Sequence, residues 1–263
     1  MRLLFVGDVV GRPGREILAR GLPRLRAEHD VDLTVVNGEN SAGGTGITEK
    51  TAGEIFAAGA DVITTGNHVW DKREVEAYIA TEPRLLRPAN DEGKPGAGSI
   101  VVTARDGTRV GIANLLGRVF MNDVADPFRS ADAIVAELAE QSSVLFIDFH
   151  AEATSEKVAL AWYLDGRVSA VVGTHTHVTT ADERILPGGT AFLSDVGMTG
   201  PHESVIGVDV QSVLRRFLER RSVRMHVAQG DLRISAVVIE IDPEGGRARS
   251  IRRVSFRDDE ASS

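Results

Sequence analysis

The sequence predicts an α/β fold in which a mixed sheet or sandwich is covered by helices. Three features predict it. Short apolar runs alternate with helix-periodic segments through the first half of the chain. Asp106-Gly107 separates two strand-like runs, a strong hairpin signal. Two further apolar runs, 234–241 and 251–256, read as closing strands. A TIM barrel is the main competitor, and the hairpin counts against it, because barrel strands are parallel and need helical crossovers.

The elements follow in order. Residues 3–6 form a buried-strand run ended by Gly7-Asp8. From Pro13, well placed in a first helical turn, Ile17, Leu18, Leu22 and Leu25 share one helix face. His29 sits at that helix's end, where a cation favours the dipole. Residues 33–36 form a second strand, ended by Asn37-Gly38. A helix over 48–58 starts with Thr48 as N-cap and stops at Gly59. Residues 62–64 form a third strand before Gly66. Residues 72–80 are expected to be helical, and 83–98, rich in Pro, Gly and Asn, form a loop. The hairpin pairs 100–102 with 110–113. A helix over 130–140 is capped by Ser130. Then come a strand at 144–147, a helix at 155–163, strands at 169–172 and 191–193, a Gly-rich loop, and a helix over 208–220. His226 falls in a strand-like segment, and 258–263 read as a frayed tail. No repeat or linker divides the chain, so 1–263 is read as one domain.

Composition narrows the function classes. The chain has 263 residues, 42% hydrophobic, enough to bury a sizeable core. It contains no cysteine, which excludes disulfides, thiolate metal sites and a cysteine nucleophile. The apolar start is too short for a signal peptide, and no run approaches the ~20 residues of a membrane helix. A cytoplasmic protein without a membrane partner is expected. Net charge is −8, against binding of long nucleic acids. The local basic pairs Arg215-Arg216 and Arg220-Arg221 read as a solvated helix face.

The polar residues fall in a pattern. Asp8 follows the first strand, Glu39 and Asn40 the second, and Asn67 and His68 the third. His150 follows the run at 144–147, and His175 and His177 follow the run ending at Val172. If the strands are parallel, these groups gather at one edge, where α/β folds place their sites. Each has an ordinary reading alone: Asp8 as a turn or cap residue, Glu39-Asn40 as solvated loop, His150 as a satisfied core histidine. His175 and His177, two apart, share a face of an extended segment. Asp148 is expected on the opposite face, and Asp195 is ambiguous. Carboxylate, amide and imidazole together suit Mn, Fe or Zn better than Mg or Ca. The set is too large for one ion and suits two sharing a bridging carboxylate, a pair that stabilises both oxygens of a phosphoryl displacement.

Gly7-Asp8, Gly38-Glu39-Asn40, Gly66-Asn67-His68, His150 and Gly173-Thr174-His175-Thr176-His177 resemble, in order, the blocks of calcineurin-like metallophosphoesterases. Val10 stands where many members have histidine, and Glu39 where many have aspartate. With the segments 148–157 and 195–201, this resembles the bacterial YmdB-like branch, whose members hydrolyse 2′,3′-cyclic nucleotides. The resemblance implies an α/β/β/α sandwich of mixed sheets flanked by helices. It implies that Asp8, Asn40 and His177 hold one metal, that Asn67, His150 and His175 hold the other, and that Glu39 bridges them. It further implies a metal-activated water as nucleophile and His68 as proton donor. Glu152, Thr154 and His202 are candidate substrate contacts.

The expected activity is therefore a phosphodiesterase on a small phosphoester or cyclic nucleotide. The alternatives are a metal-dependent phosphomonoesterase or nucleotidase, an RNase-like activity on short RNA, and a regulatory metal-binding protein acting through partners. Self-association into a homo-oligomer stays open.

Overall fold

The structure, a computed structural model, describes residues 1–121, 123–220 and 222–258. The first half runs β1 (Arg2–Val6), β2 (Asp8–Val9), α1 (Gly11–Glu28), β3 (Leu33–Asn37), α2 (Glu49–Ala58), β4 (Val62–Thr64), α3 (Val75–Ile79), β5 (Ser99–Thr103) and β6 (Arg109–Leu116). The second half runs α4 (Pro127–Ala139), β7 (Val144–His150), α5 (Thr154–Tyr163), β8 (Ala170–Thr174), β9 (Arg184–Ile185), β10 (Ala191–Leu193), β11 (Met198–Pro201), α6 (Val210–Glu219), β12 (Leu232–Ile241) and β13 (Ala248–Arg257).

The strands form two mixed sheets. One has the order β2-β11-β12-β1-β3-β4, with β13 also paired to β12; the other is β5-β6-β7-β8-β10-β9. In the first, β1, β3 and β4 are parallel. In the second, β6, β7, β8 and β10 are parallel, and β5 closes an edge through the expected hairpin.

Alternation along the strands builds the layers. Leu3 and Phe5 of β1 face a core between the sheets, where Val110, Ile112, Val144 and Phe146 meet them. Leu4 and Val6 face the other way, toward Ile17, Leu18 and Leu22 of α1 and Ile55 of α2. On the far side, Leu145, Ile147 and Phe149 of β7 pack on Ala131 and Val135 of α4 and Leu160 of α5. Strands buried on both faces read as continuous apolar runs, which is how β1, β3 and β7 look in sequence. The result is the α/β/β/α sandwich. Its parallel strands β1, β3, β4, β7 and β8 deliver their C-terminal ends to a common edge.

Several local expectations change. The fourth helix is capped by Asp126, whose Oδ1 accepts from Phe128 N and Arg129 N at 2.9 and 3.2 Å. The Asp-Pro pair supplies both a cap and a first-turn proline, so the helix starts before Ser130. The helix expected over 72–80 shrinks to α3, because the chain first makes a 3-10 turn, Val69–Asp71. His29 caps the end of α1, where burial and Arg252 lower its pKa and Arg252 Nη2 donates to its Nδ1 at 3.1 Å. His226 is exposed and outside the named strands. On α6 the apolar Phe217 and Leu218 are exposed beside the expected arginines. Of the expected frayed tail, Asp258 is tied to Arg20 at 2.7 Å; 259–263 and Arg221 lie outside the described residues. No helix among the described residues is long and apolar enough to cross a membrane.

Candidate metal centre and active site

The common edge brings Asp8, Glu39, Asn40, Asn67, His150, His175 and His177 together. Around His150 Nε2 stand Glu39 Oε1 at 3.1 Å, Asn67 Oδ1 at 3.0 Å and His175 Nδ1 at 3.0 Å. Candidate ligand atoms of Glu39, His150 and His175 all lie within 4.8 Å of one another. On the other side of Glu39, Asn40 Nδ2 is 3.2 Å from Glu39 Oε1 and 3.0 Å from His177 Nε2. Asp8 Oδ1 lies 4.0 Å from His177 Nε2 and 3.8 Å from the His150 ring.

Three observations fit this cluster to metal ions. First, a ring nitrogen donates one proton at most, yet three acceptor-bearing groups converge on His150 Nε2; a cation among them satisfies all four. Second, Asp8 is fully buried and its Oδ1 has no hydrogen-bond partner. A buried carboxylate oxygen left alone is costly, and a bound cation removes that cost. Third, each histidine has its other nitrogen engaged. His150 Nδ1 meets Thr174 Oγ1 at 2.9 Å, His175 Nε2 meets Glu152 Oε2 at 3.1 Å, and His177 Nδ1 meets the Ile206 carbonyl at 2.9 Å. Such partners fix tautomer and ring orientation in metal sites. Gly66 leaves the space open: a Cβ there would collide with both Glu39 Oε2 and the His150 ring.

The electrostatics of the metal-free cluster are strained in a consistent way. Burial raises the pKa of Asp8, partly offset by His177 and His150. For Glu39 burial also acts upward, but His150 and His68 outweigh it and hold the carboxyl at about 2. Burial pulls His150 down, but Glu39, Asp8 and Asp148 raise it to about 9. Burial and the neighbouring His150 push His175 down to about 3. Burial and neighbouring charge thus pull His150 and His175 in opposite directions within one cluster.

A buried layer supports the cluster. Asp148 stands on the same face as His150, against the expectation that it points away, because residues two apart on a strand share a face. It accepts from Thr174 Oγ1 at 2.7 Å and from Asn37 Nδ2 at 3.0 Å, and burial lifts its pKa to about 7. Lys157 is turned inward: its Nζ meets Asp195 Oδ2 at 2.8 Å. The same oxygen accepts from Thr176 N at 3.0 Å and Thr176 Oγ1 at 2.8 Å. This clasp holds the turn on which His175 and His177 adopt φ of +99° and +65°, values uncommon outside glycine. Sequence reasoning passed over Asp148 and Thr174 as supports. The available signal was an aspartate inside the apolar run, two residues before His150.

Glu39, Asn40, His175 and His177 of the cluster line a cavity of about 330 Å³, together with His68, Glu152, Gly44, Thr176 and a set of aliphatic side chains. Among the described residues, no lysine or arginine lines it. His68 Nδ1 meets Asp71 Oδ2 at 2.9 Å, and its backbone N donates to Glu39 Oε2 at 3.1 Å. Thr154, the exposed first residue of α5, does not line this cavity. His202 lines a neighbouring one and meets the Gly200 carbonyl at 3.1 Å.

A profile of the family described as "YmdB-like protein" matches residues 4–254. The chain belongs to the YmdB-like family. Within it, the chain is 50% identical over 260 residues to the 2′,3′-cyclic-nucleotide 2′-phosphodiesterase of Bacillus subtilis (strain 168), covering 98% of each protein. It superposes with a TM-score of 0.91 on a hypothetical protein from Thermus thermophilus, 42% identical, covering 98% of this chain and 99% of the other. A phosphatase from Mycoplasma pneumoniae gives a TM-score of 0.91 at 32% identity, covering 98% and 93%.

Proposed function

We propose that this YmdB-like chain is a metal-dependent phosphodiesterase acting on small cyclic nucleotides of the 2′,3′ type. The observation that carries the reading is a buried carboxylate, amide and imidazole cluster beside a small cavity whose lining, among the described residues, includes no lysine or arginine. A phosphomonoester is a dianion at neutral pH and calls for cationic side chains beyond the metals. A cyclic diester is a monoanion and asks less. The activity named for the B. subtilis relative supports the same choice.

In this reading the chain holds two ions of Mn, Fe or Zn. Asp8, Asn40 and His177 serve one, Asn67, His150 and His175 the other, and Glu39 both. Glu39 Oε1, 3.2 Å from Asn40 Nδ2 and 3.1 Å from His150 Nε2, stands between the two groups. When bound, the ions activate water for attack on phosphorus and offset charge on the phosphoryl oxygens. Thr174, Glu152 and the Ile206 carbonyl hold the three imidazoles with one nitrogen turned to the cluster. Asp71 holds His68 Nδ1, leaving Nε2 to hand a proton to the departing ribose oxygen.

The test is kcat/KM for a 2′,3′-cyclic nucleotide against the matching nucleoside monophosphate, with elemental analysis of the same sample. The diester is expected to win by at least about tenfold, or ~1.4 kcal/mol, with about two ions per chain. Equal rates or a monoester preference would support the second reading, a phosphomonoesterase, which the relative described as a phosphatase favours.

A further inference from the structure

The cavity's lining is of two kinds. Glu39, Asn40, His68, His175 and His177 bring polar groups to it; Val10, Ile206, Val208 and Val227 bring aliphatic side chains. The aliphatic wall is assembled from separate segments. Val10, only 3% exposed, comes from the end of β2, and Val208 and Val227 are joined by an antiparallel bridge. Ile206 is 52% exposed and sits at φ +47°, a left-handed conformation that β-branched residues avoid. Its carbonyl accepts from His177 Nδ1, so the residue that orients one histidine also presents an apolar side chain to the cavity. Strain of this kind persists where the surroundings impose it, often at ligand sites.

The backbone of this wall is already committed. Val10 N donates to the Thr199 carbonyl at 2.9 Å, and its own carbonyl accepts from Gly14 N at 3.0 Å. Gly207 N donates to Ser204 Oγ at 2.9 Å, and its carbonyl accepts from Ala228 N at 3.0 Å. Val205 and Val208 exchange both of their bonds, at 2.9 and 3.0 Å. At Val10, Gly207 and Val208 the wall offers shape and apolar surface, with the backbone polar atoms engaged elsewhere.

We infer that this wall is a nucleobase subsite that holds the flat face of any base without reading its hydrogen-bonding edge. The inference rests on the phosphodiesterase reading above. In a ribonucleoside 2′,3′-cyclic phosphate, base and phosphate project from opposite faces of the ribose. With the phosphate at the donor cluster, the base turns away from it, to the aliphatic side chains. A cavity of about 330 Å³ is at the small end of ligand sites and has room for one nucleoside, not for a chain. An apolar wall discriminates weakly, whereas a site that hydrogen-bonds its substrate rejects the wrong partner by ~10⁴–10⁵. The four 2′,3′-cyclic nucleotides are therefore turned over with kcat/KM values within about tenfold of one another.

The experiment uses the metal-loaded full chain and a base-free comparator, glycerol 1,2-cyclic phosphate. Ile206→Gly keeps the carbonyl that holds His177 and removes only the side chain; Val227→Ala trims the wall from another segment. The ratio of kcat/KM for adenosine 2′,3′-cyclic phosphate over the comparator is expected to fall about tenfold in each, mainly through KM. Melting temperature and metal content establish that each variant is folded and loaded. An unchanged ratio in both folded variants overturns the subsite. So does a preference above about 100-fold for one base, or equal kcat/KM for nucleotide and comparator, both read on the unaltered chain even if the variants misfold. Should the chain hydrolyse no diester, calorimetry with nucleoside 3′-monophosphates separates the two ideas. Base-dependent binding that weakens in Ile206→Gly keeps the subsite and removes the diesterase reading. Binding indifferent to the base overturns the subsite.

Discussion

Asp148 reaches His150 through a single hydroxyl: Thr174 Oγ1 lies 2.7 Å from Asp148 Oδ1 and 2.9 Å from His150 Nδ1. With its proton given to Asp148, the hydroxyl can only accept from His150, so Nδ1 carries the hydrogen and Nε2 is left for the cluster. Thr174→Val keeps the shape of the side chain and removes the relay. Metal affinity should fall about 10–100-fold, read as the dissociation constant in a chelator competition, while Asn37 Nδ2 still donates to Asp148 Oδ2. An unchanged constant would sink the relay.

The metal-free protein should lose stability as pH rises from 6.5 toward 9. His150 is raised from 6.5 to about 9 by Glu39, Asp8 and Asp148 against the pull of burial. A raised pKa contributes stability that is full below the unfolded value and disappears as pH passes the folded one. Asp148, raised by burial from 3.8 to about 7, declines in the same sense. Glu39, held at about 2, acts oppositely, and its share is lost only on acidification from 4.5 through about 2. Because a metal takes the place of the His150 proton, loading at pH 7.5 should release about one proton. Melting curves of stripped protein and calorimetry in two buffers check both statements. A melting temperature that climbs between pH 6.5 and 9 contradicts the first.

The Lys157–Asp195 pair, with both side chains 2% exposed, should respond unequally to removal of its partners. Asp195 also accepts from Thr176 N, Thr176 Oγ1 and Gly197 N, so it stays satisfied without the lysine. Lys157 has no such reserve. Asp195→Ala is expected to cost about 3–5 kcal/mol and to lower metal content by loosening the His175–His177 turn. Lys157→Met should cost clearly less. Denaturant titration of both variants gives the comparison, and equal losses would contradict it.

Much of the site was legible because its residues sit where apolar runs end, and parallel strands carry run ends to one edge. Asp8, Glu39, Asn67, His150 and His175 are local signals in that sense. Their supports are not local. The relay from Asp148 needs His150 opposite Thr174 in the β7–β8 register, and no periodicity within either segment sets that register. The side Asp148 faces was within reach of the strand rule and was misread. The apolar wall joins Val10 to Val227 across most of the chain, and Ile206 gains its place from a backbone conformation that no pattern of side chains announces. The Ser130 cap failed for a simpler reason, since Asp126-Pro127 is the stronger start signal.

His68 offers the sharpest check on the chemistry. Its ring is bonded to Asp71 at 2.9 Å and is partly exposed, with its side chain at 38%, and among the described residues no hydrogen bond ties that ring to the donor cluster. Its backbone N donates to Glu39 Oε2, a bond that alanine preserves. His68→Ala should therefore leave metal content intact and lower kcat about 10²–10⁴-fold, as befits a lost general acid. The loss should shrink for a diester whose leaving group is nitrophenolate, because that group departs without a proton. Asp71→Asn keeps a hydrogen-bonding partner for the ring, so it should cost a smaller loss of rate. Metals lost from His68→Ala would make the residue a support of the cluster. A nitrophenyl ester and a cyclic nucleotide that suffer equally would show that His68 acts before the leaving group departs, and the proton-donor role would be wrong.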